Sequence, residues 1–517
     1  MNIDQAKEEV KNAVRAYLEK DEAGRYEIPI ERQRPILLMG PPGIGKTAVM
    51  EQIAHELGIG LVSYTITHHT RQSAIGLPKI SEKSFEGKVY SVTEYTMSEI
   101  IGAVYEQREK SGIKEGILFL DEINCVSETL APTMLQFLQY KTFGSLKLPE
   151  GYIIVTAGNP PQYNKSVREF DIVTLDRVRQ INIEEDFDSW KEYAYKAGVH
   201  GSILSYLEIK KDNFYSIKTD VDGRSFVTAR GWEDLSRIIK VNEKLGIDVD
   251  ENLTCQYLQN IEVARDFANY YELYRRYNEL YKIPDILEGR FPENTKAIRE
   301  GSFDEKLSII GLLTDKLMEE FRDYVKNQAV QKTLFETIKE FGVLSKEAQT
   351  EGEGSWFGTK ADAMEKKLEK DMEAGLVNRE EEKVSRLSIA ALYDLDKEIS
   401  LISAGNETGT SAASENACFE GAKSWFGKRE SIRQQQIKST DDHLTNCFEF
   451  MEKTFGDEQS LTGSQEMVIF LTELSKAYYS LRFVRETGNE AYYRYNKLLL
   501  LNDRKQELRD MVAKLEF

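Results

Sequence analysis

An α/β fold is what this chain of 517 residues predicts: a parallel sheet between helices, followed by a long all-helical region. Three observations carry the expectation. Pro35-Ile36-Leu37-Leu38-Met39, Gly116-Ile117-Leu118-Phe119-Leu120 and Tyr152-Ile153-Ile154-Val155-Thr156-Ala157 are short apolar bursts that read as buried strands. Behind the first of them Val49, Ile53 and Leu57 recur every four residues and Gly58 closes the run, the signature of a helix with a C-terminal stop. After about residue 285 helical periods dominate, with no convincing strand pattern.

Between the first strand and that helix lies Gly40-Pro41-Pro42-Gly43-Ile44-Gly45-Lys46-Thr47-Ala48, which matches G-x-x-x-x-G-K-[ST] in full. Strand, glycine loop and helix together aim backbone N–H groups and a helix N-terminus at a polyphosphate. Gly40 through Ala48 therefore read as the binding loop for a nucleoside triphosphate. Lys46 would neutralise β/γ-phosphate charge, and the Thr47 hydroxyl would ligate Mg²⁺.

The second burst ends in Asp121-Glu122, about 75 residues further on, a distance that suits a nucleotide-binding sheet. Asp121 at the strand end would hold Mg²⁺ through its water shell, while Glu122 would polarise the attacking water. The third burst runs into Gly158-Asn159-Pro160-Pro161, where Asn159 could orient water against the γ-phosphate. Arg177 in Leu175-Asp176-Arg177 and Arg230 in Val227-Thr228-Ala229-Arg230 are candidates for guanidinium groups that stabilise a transferring phosphoryl group. On spacing alone, alternatives stand: a solvated strand end for Asp121-Glu122, a turn Asn before Pro160, and a surface Arg in each case.

In their order, the glycine loop, the Asp-Glu strand, Thr-x-Gly-Asn-Pro-Pro, Leu-Asp-Arg and a late Arg resemble an AAA+ ATPase. Asp121-Glu122-Ile123-Asn124 and the Asn-Pro-Pro/Leu-Asp-Arg pair are similar, more narrowly, to the MoxR group, which includes the CbbQ-like proteins. The resemblance covers about residues 30–285. It implies an αβα AAA+ core with a helical lid, and it makes Asn159 the sensor 1 residue. Arg177 becomes the arginine finger reaching a neighbour's site, with Arg179 as a rival, and Arg230 the sensor 2 residue of the lid. Residues 76–95 take the place of the helix-2 insert hairpin, and residues 141–149 that of the hairpin before sensor 1. Cys125 stands where the family usually has Arg, and Val-Thr-Ala-Arg where it more usually has Ser-Pro-Arg. The resemblance further implies a homo-oligomeric ring, hexameric in the group. Its work would be to remodel, mature or activate a client protein, alongside a partner with a von Willebrand factor A domain. A DNA or RNA motor of the same clade and a nucleotide-gated scaffold with little turnover are the alternative readings.

Net charge is −19, which argues against wholesale binding of a phosphate backbone. Four cysteines without C-x-x-C spacing suggest reduced thiols in a cytoplasmic protein and no zinc site. No apolar run is long enough to span a membrane, and the start lacks the regions of a signal peptide. His68-His69 reads as a solvated strand end rather than a metal site.

The expected organisation is an amphipathic helix within 1–29, the nucleotide-binding domain over 30–185, a helical lid over 186–285 and a helical extension over 286–517. The aromatic stripe Tyr270, Tyr271, Tyr274 and Tyr277 has helical spacing and reads as core. Helices are expected over 360–374, 380–402, 429–454, 464–486 and 489–515, with residues 403–421, rich in Gly, Ser, Ala, Thr and Asn, as a flexible segment. The echo Ser355-Trp356-Phe357-Gly358 and Ser424-Trp425-Phe426-Gly427 is either a docking device or a pair of core pins.

Overall fold

A computed structural model of the protein describes residues 1–68, 70–143, 146–163, 167, 170–220, 223–293, 295–344, 356–405, 411–456 and 464–498. His69, Ser355 and the end of the helix expected over 489–515 lie outside the described residues. The chain divides into two compact units. The first gathers Met1–Ser189, Thr228–Arg230 and Lys366–Glu382; the second gathers Trp190–Val227, Gly231–Glu365 and the chain from Lys383 onward.

Up to residue 182 the elements run α1 (Ile3–Leu18), β1 (Ile36–Met39), α2 (Lys46–Leu57), β2 (Gly60–Thr65), α3 (Arg71–Ile75), β3 (Pro78–Phe85), β4 (Lys88–Tyr95), α4 (Glu99–Ser111), β5 (Gly116–Asp121), α5 (Ala131–Tyr140), β6 (Thr142–Phe143), β7 (Leu146–Lys147), β8 (Tyr152–Gly158), α6 (Ile172–Leu175) and β9 (Arg179–Asn182). Five strands make one parallel sheet in the order β2-β5-β8-β1-β9, with Ile36 opposite both Val155 and Arg179.

The apolar bursts form this sheet because successive side chains of a strand point to opposite faces, and here both faces are covered. Leu37, Leu118, Leu120 and Ile154 join Ile100, Ile101 and Val104 of α4 and Met134 and Phe137 of α5 on one side. Ile36, Leu38, Ile117, Phe119, Ile153 and Val155 meet Val49, Met50 and Ile53 of α2 on the other. The same cluster takes in Ala6, Val10 and Val14, so α1 is part of the sandwich. A capping box between Asn2 and Gln5 starts α1, and Gly58 in the left-handed region stops α2. The parallel αβα core expected from the sequence is what forms.

Two antiparallel hairpins leave the core. β3 and β4 pair from Pro78↔Tyr95 to Phe85↔Lys88, and β6 pairs β7. They fall where the two inserts are expected, although residues 144–145 lie outside the described residues.

From residue 187 the described residues are mostly helical: α7 (Phe187–Ala197), α8 (Gly201–Ile209), α9 (Ala229–Leu245), α10 (Glu251–Tyr257), α11 (Ile261–Leu280), α12 (Ile283–Leu287), α13 (Thr295–Glu300), α14 (Phe303–Leu344), α15 (Trp356–Glu373), α16 (Arg379–Gly405), α17 (Ser411–Phe455), α18 (Gln465–Lys476) and α19 (Tyr478–Thr487). One hairpin, β10 (Ser216–Asp220) with β11 (Gly223–Val227), interrupts a stretch expected to be helical throughout. Residue 285, the expected end of the lid, lies inside the second unit, where Tyr274, Ile283 and Ile286 share one core with Leu313, Phe321, Phe448 and Phe470. Tyr271 and Tyr274 are buried and Tyr270 and Tyr277 half-buried, so the aromatic stripe is core.

Two expectations change. The segment expected to be flexible over 403–421 is helical at Ser403–Gly405 and again from Ser411, with only residues 406–410 outside the described chain. Its small residues serve close approach: a Cβ on Gly421 would lie 2.6 Å from Ile402 Cδ1. The helix expected over 464–486 is two, broken at Ala477, whose backbone is extended (φ −82°, ψ 125°) and whose methyl is buried. Of the Trp-Phe echoes, Trp425 and Phe357 are buried and Trp356 lies 5.2 Å, ring to ring, from Phe341. The aromatic pairs pin helices, and the docking device is set aside.

Candidate functional site

Three loops meet at the strand tips of the first unit. The first is the glycine loop between β1 and α2. Gly43 (φ 75°) and Gly45 (φ 93°) take left-handed backbone, which a residue with a Cβ would hold under strain. A Cβ on Gly43 would also lie 3.1 Å from Thr228 Cβ and 3.6 Å from Arg230 Cβ, so the glycine lets the Thr228–Arg230 segment close over the loop. With α2 opening at Lys46, the loop's N–H groups and the helix N-terminus form a cradle for an anion.

Lys46 is only 8% exposed. Its Nζ donates to the carbonyls of Gly40 and Pro41, both at 2.8 Å, and to Asn159 Oδ1 at 2.9 Å. Burial pushes its pKa from 10.5 down to about 8; Asp121 and Glu122 oppose the shift and Arg230 adds to it. The ammonium is thus held ready for an anion that would restore its preference for charge.

The second loop is the tip of β5. Thr47 Oγ1 donates to Asp121 Oδ2 at 3.1 Å, so the two proposed cation ligands stand together. A hydroxyl and a carboxylate are hard oxygen donors of the kind that suits Mg²⁺, and the donor set fits the ion. Asp121 Oδ1 accepts from the Glu122 N–H at 2.9 Å, and Glu122 sits in the left-handed region (φ 56°) with a half-exposed side chain. A non-glycine residue in that region marks a turn worth explaining; here it swings Glu122 off the strand line.

The third loop follows β8 and carries Asn159, whose side chain reaches Lys46 as described and whose carbonyl accepts from Asn124 Nδ2 at 2.8 Å. Lys46, Thr47, Asp121, Glu122, Asn159 and Arg230 are therefore brought to one place by three strand tips and the Thr228–Arg230 segment. Ligands of open parallel sheets bind at the carboxyl ends of the strands.

Arg177 is exposed, and its guanidinium donates to Gln139 Oε1 at 2.7 Å rather than to any residue of this cluster. Arg179 is paired with Glu9 of α1. Asn124 and Thr228 were given no task by the sequence, although both sit inside quoted motifs. Lys141 was missed as well: it is buried, donates to the carbonyls of Ile30 and Gln33, and burial holds its pKa at about 8. Its left-handed backbone (φ 56°) after a helix end was the one available local signal, and it is not visible in sequence. Among the described residues no cluster of three or more His, Cys, Asp or Glu that could hold a metal ion forms, and no helix is long and apolar enough to cross a membrane.

Residues 36–175 match the family model for the ATPase family associated with various cellular activities (AAA). The match runs from β1 through α6 and takes in the glycine loop, the β5 tip and Asn159, so this stretch of the core is similar to an AAA-type ATPase domain. Among curated proteins, none matches the chain.

Proposed function

We propose that this protein is a ring-forming AAA+ ATPase of the MoxR type that uses Mg²⁺-ATP hydrolysis to remodel, mature or activate a client protein in the cytoplasm. The observation that carries the catalytic part is the convergence of Lys46, Thr47, Asp121 and Asn159 on one set of strand tips, linked by direct hydrogen bonds. The glycine loop and Lys46 bind the phosphates. Thr47 and Asp121 would hold Mg²⁺, which would supply charge neutralisation for the phosphates. Glu122 accepts a proton from the attacking water as its oxygen bonds to the γ-phosphorus, and the bond to the ADP oxygen breaks. Asn159 orients that water, and Arg230 offsets charge on the transferring group.

Arg177 is assigned to a neighbouring subunit's site, because it is exposed and its own cluster does not use it. That assignment makes the ring, hexameric by resemblance, a condition of turnover. The exposed β3–β4 hairpin, with Ile80 and Val89 open to solvent, supports contact with a client. The partner implied by the resemblance carries a von Willebrand factor A domain. Steady-state phosphate release, measured with Mg²⁺ and with the metal chelated, tests the reading. Turnover no faster than background in the assembled protein would overturn it.

A further inference from the structure

Asn124 has no part in the reaction just described, yet its side chain joins two of the three loops. It lies in a short 3-10 turn (Ile123–Cys125) directly after Glu122, and it is 3% exposed. β5 and β8 pair only as far as Leu120↔Thr156. Beyond that point the β5 chain turns away at Glu122, so the carbonyl of Asn159 has lost the neighbouring strand as a donor. Asn124 Nδ2 takes that place at 2.8 Å. Since a carbonyl only accepts, the amide orientation is settled by this contact.

The other end of the amide is costly. Asn124 Oδ1 is buried and has no hydrogen-bond partner among the described residues. A buried acceptor without a donor is unfavourable, and an apolar side chain of similar volume would fill the space without that penalty. Packing alone is therefore a poor account of this residue. Gly158 completes the arrangement: a Cβ there would lie 2.7 Å from Asn124 Oδ1 and 2.9 Å from Cγ, so only glycine lets the amide lie against the strand. The contacts run in series from Asn124 Nδ2 to the Asn159 carbonyl, and from Asn159 Oδ1 to Lys46 Nζ.

We infer that Asn124 is a positioning residue for hydrolysis, its amide clamping the peptide that carries Asn159 and tying it to the segment that carries Glu122. The inference rests on the roles proposed above for Glu122 and Asn159. The clamp sets where the Asn159 side chain points while Glu122 takes its proton; Asn124 itself touches neither ATP nor water in this scheme.

A double-mutant cycle on the full-length chain tests it, reading kcat and the Kd for ATP separately. Asn124→Ala is expected to lower kcat by ~10–100-fold, as small misplacements of a reacting constellation do, with the Kd for ATP within about threefold of wild type because the glycine loop is untouched. Asn124→Ala with Asn159→Ala is expected to be no slower than Asn159→Ala alone, since residues that act through one another are non-additive. Gly158→Ala, which displaces the amide with Asn124 still present, should reproduce the fall in kcat. Losses that multiply in the double variant overturn the inference. So does wild-type kcat in Asn124→Ala beside a slow Asn159→Ala, and that result leaves the proposed function standing. Wild-type kcat in Asn159→Ala overturns the role of Asn159 and this inference with it. Should Asn124→Ala fail to fold, Asn124→Asp, which keeps the volume and loses the donor, takes its place in the cycle.

Discussion

Thr47 and Asp121 are joined by a 3.1 Å hydrogen bond from Oγ1 to Oδ2, which sets the first turn of α2 against the tip of β5. Glu122, the next residue, takes left-handed backbone (φ 56°) and leaves the strand line. In the function proposed above, cation binding and proton transfer fall to adjacent residues that can be separated by mutation.

Glu122→Gln is expected to bind ATP within a few-fold of wild type and to lose hydrolysis, because Asp121 and Thr47 remain while the base is gone. A general base contributes ~10²–10⁴-fold. Retention of more than about a tenth of wild-type phosphate release would assign the proton to another group. Lys46→Ala should instead weaken ATP binding itself, as equilibrium titration would show.

Arg177→Ala should bind ATP normally and fail to hydrolyse it, and wild-type turnover should rise cooperatively with protein concentration. Mixing it with Glu122→Gln subunits should restore part of the activity, since some interfaces then pair an intact Glu122 with an intact Arg177. Confirmed mixed assemblies with no recovery would place Arg177 in cis or out of the reaction. Arg179→Ala is expected to act differently, because that guanidinium pairs with Glu9 of α1: its main effect should be on melting temperature.

Lys46 is expected to make ATP binding pH-dependent. Burial holds it at about 8 in the folded protein, and a triphosphate against Nζ favours the charged form and raises the pKa again. At a pH of about 8.5 much of the population is neutral before binding and charged after, so binding takes up a proton. Near a pH of roughly 6.5 it is charged in both states and takes up none. Calorimetric titrations in two buffers of unlike ionisation enthalpy measure the difference, and Lys46→Arg should abolish it. The stability of the free protein follows from the same shift. A lysine whose folded pKa lies below its unfolded value opposes folding at low pH, and the penalty fades as pH rises from about 8 to 10.5. Wild type should gain stability relative to Lys46→Met across that window. Lys141, also held at about 8, contributes equally to both proteins.

Trp425 is 8% exposed, with the Arg429 guanidinium 5.0 Å from its ring. Trp425→Ala should lower the melting temperature, since truncating a buried Trp costs ~3–5 kcal/mol, and leave ATP affinity unchanged. An unchanged melting temperature with weaker capture of a partner protein would reverse the assignment.

The sheet and the cluster at its tips were legible because strand burial and phosphate binding leave local traces: apolar bursts, glycines at fixed spacing, a carboxylate pair at a strand end. Arg177 and Arg230 were legible as residues but not as neighbours. Only the fold distinguishes Arg230, close to Gly43, from Arg177, paired with Gln139. The misjudged places are those where tertiary contact overrides composition. Around Gly421 small residues looked like a loop, yet they let α17 approach Ile399 and Ile402 of α16. Ala477 is a strong helix former that ends a helix, because its methyl is taken into the core with Phe483 and Leu474.

The first unit includes Lys366–Glu382, where the Ala374 carbonyl accepts from Gln107 Nε2 at 2.6 Å and Glu381 meets His55 at 2.7 Å. During synthesis these partners are separated by most of the second unit. From the end of β9, a ribosome adding about 5–20 residues per second needs roughly 10–40 s to complete that segment. For that interval α2 and α4 stand without these two contacts. Contacts so distant along the chain are slow to find each other. The first unit is therefore completed only after much of the second has been synthesised.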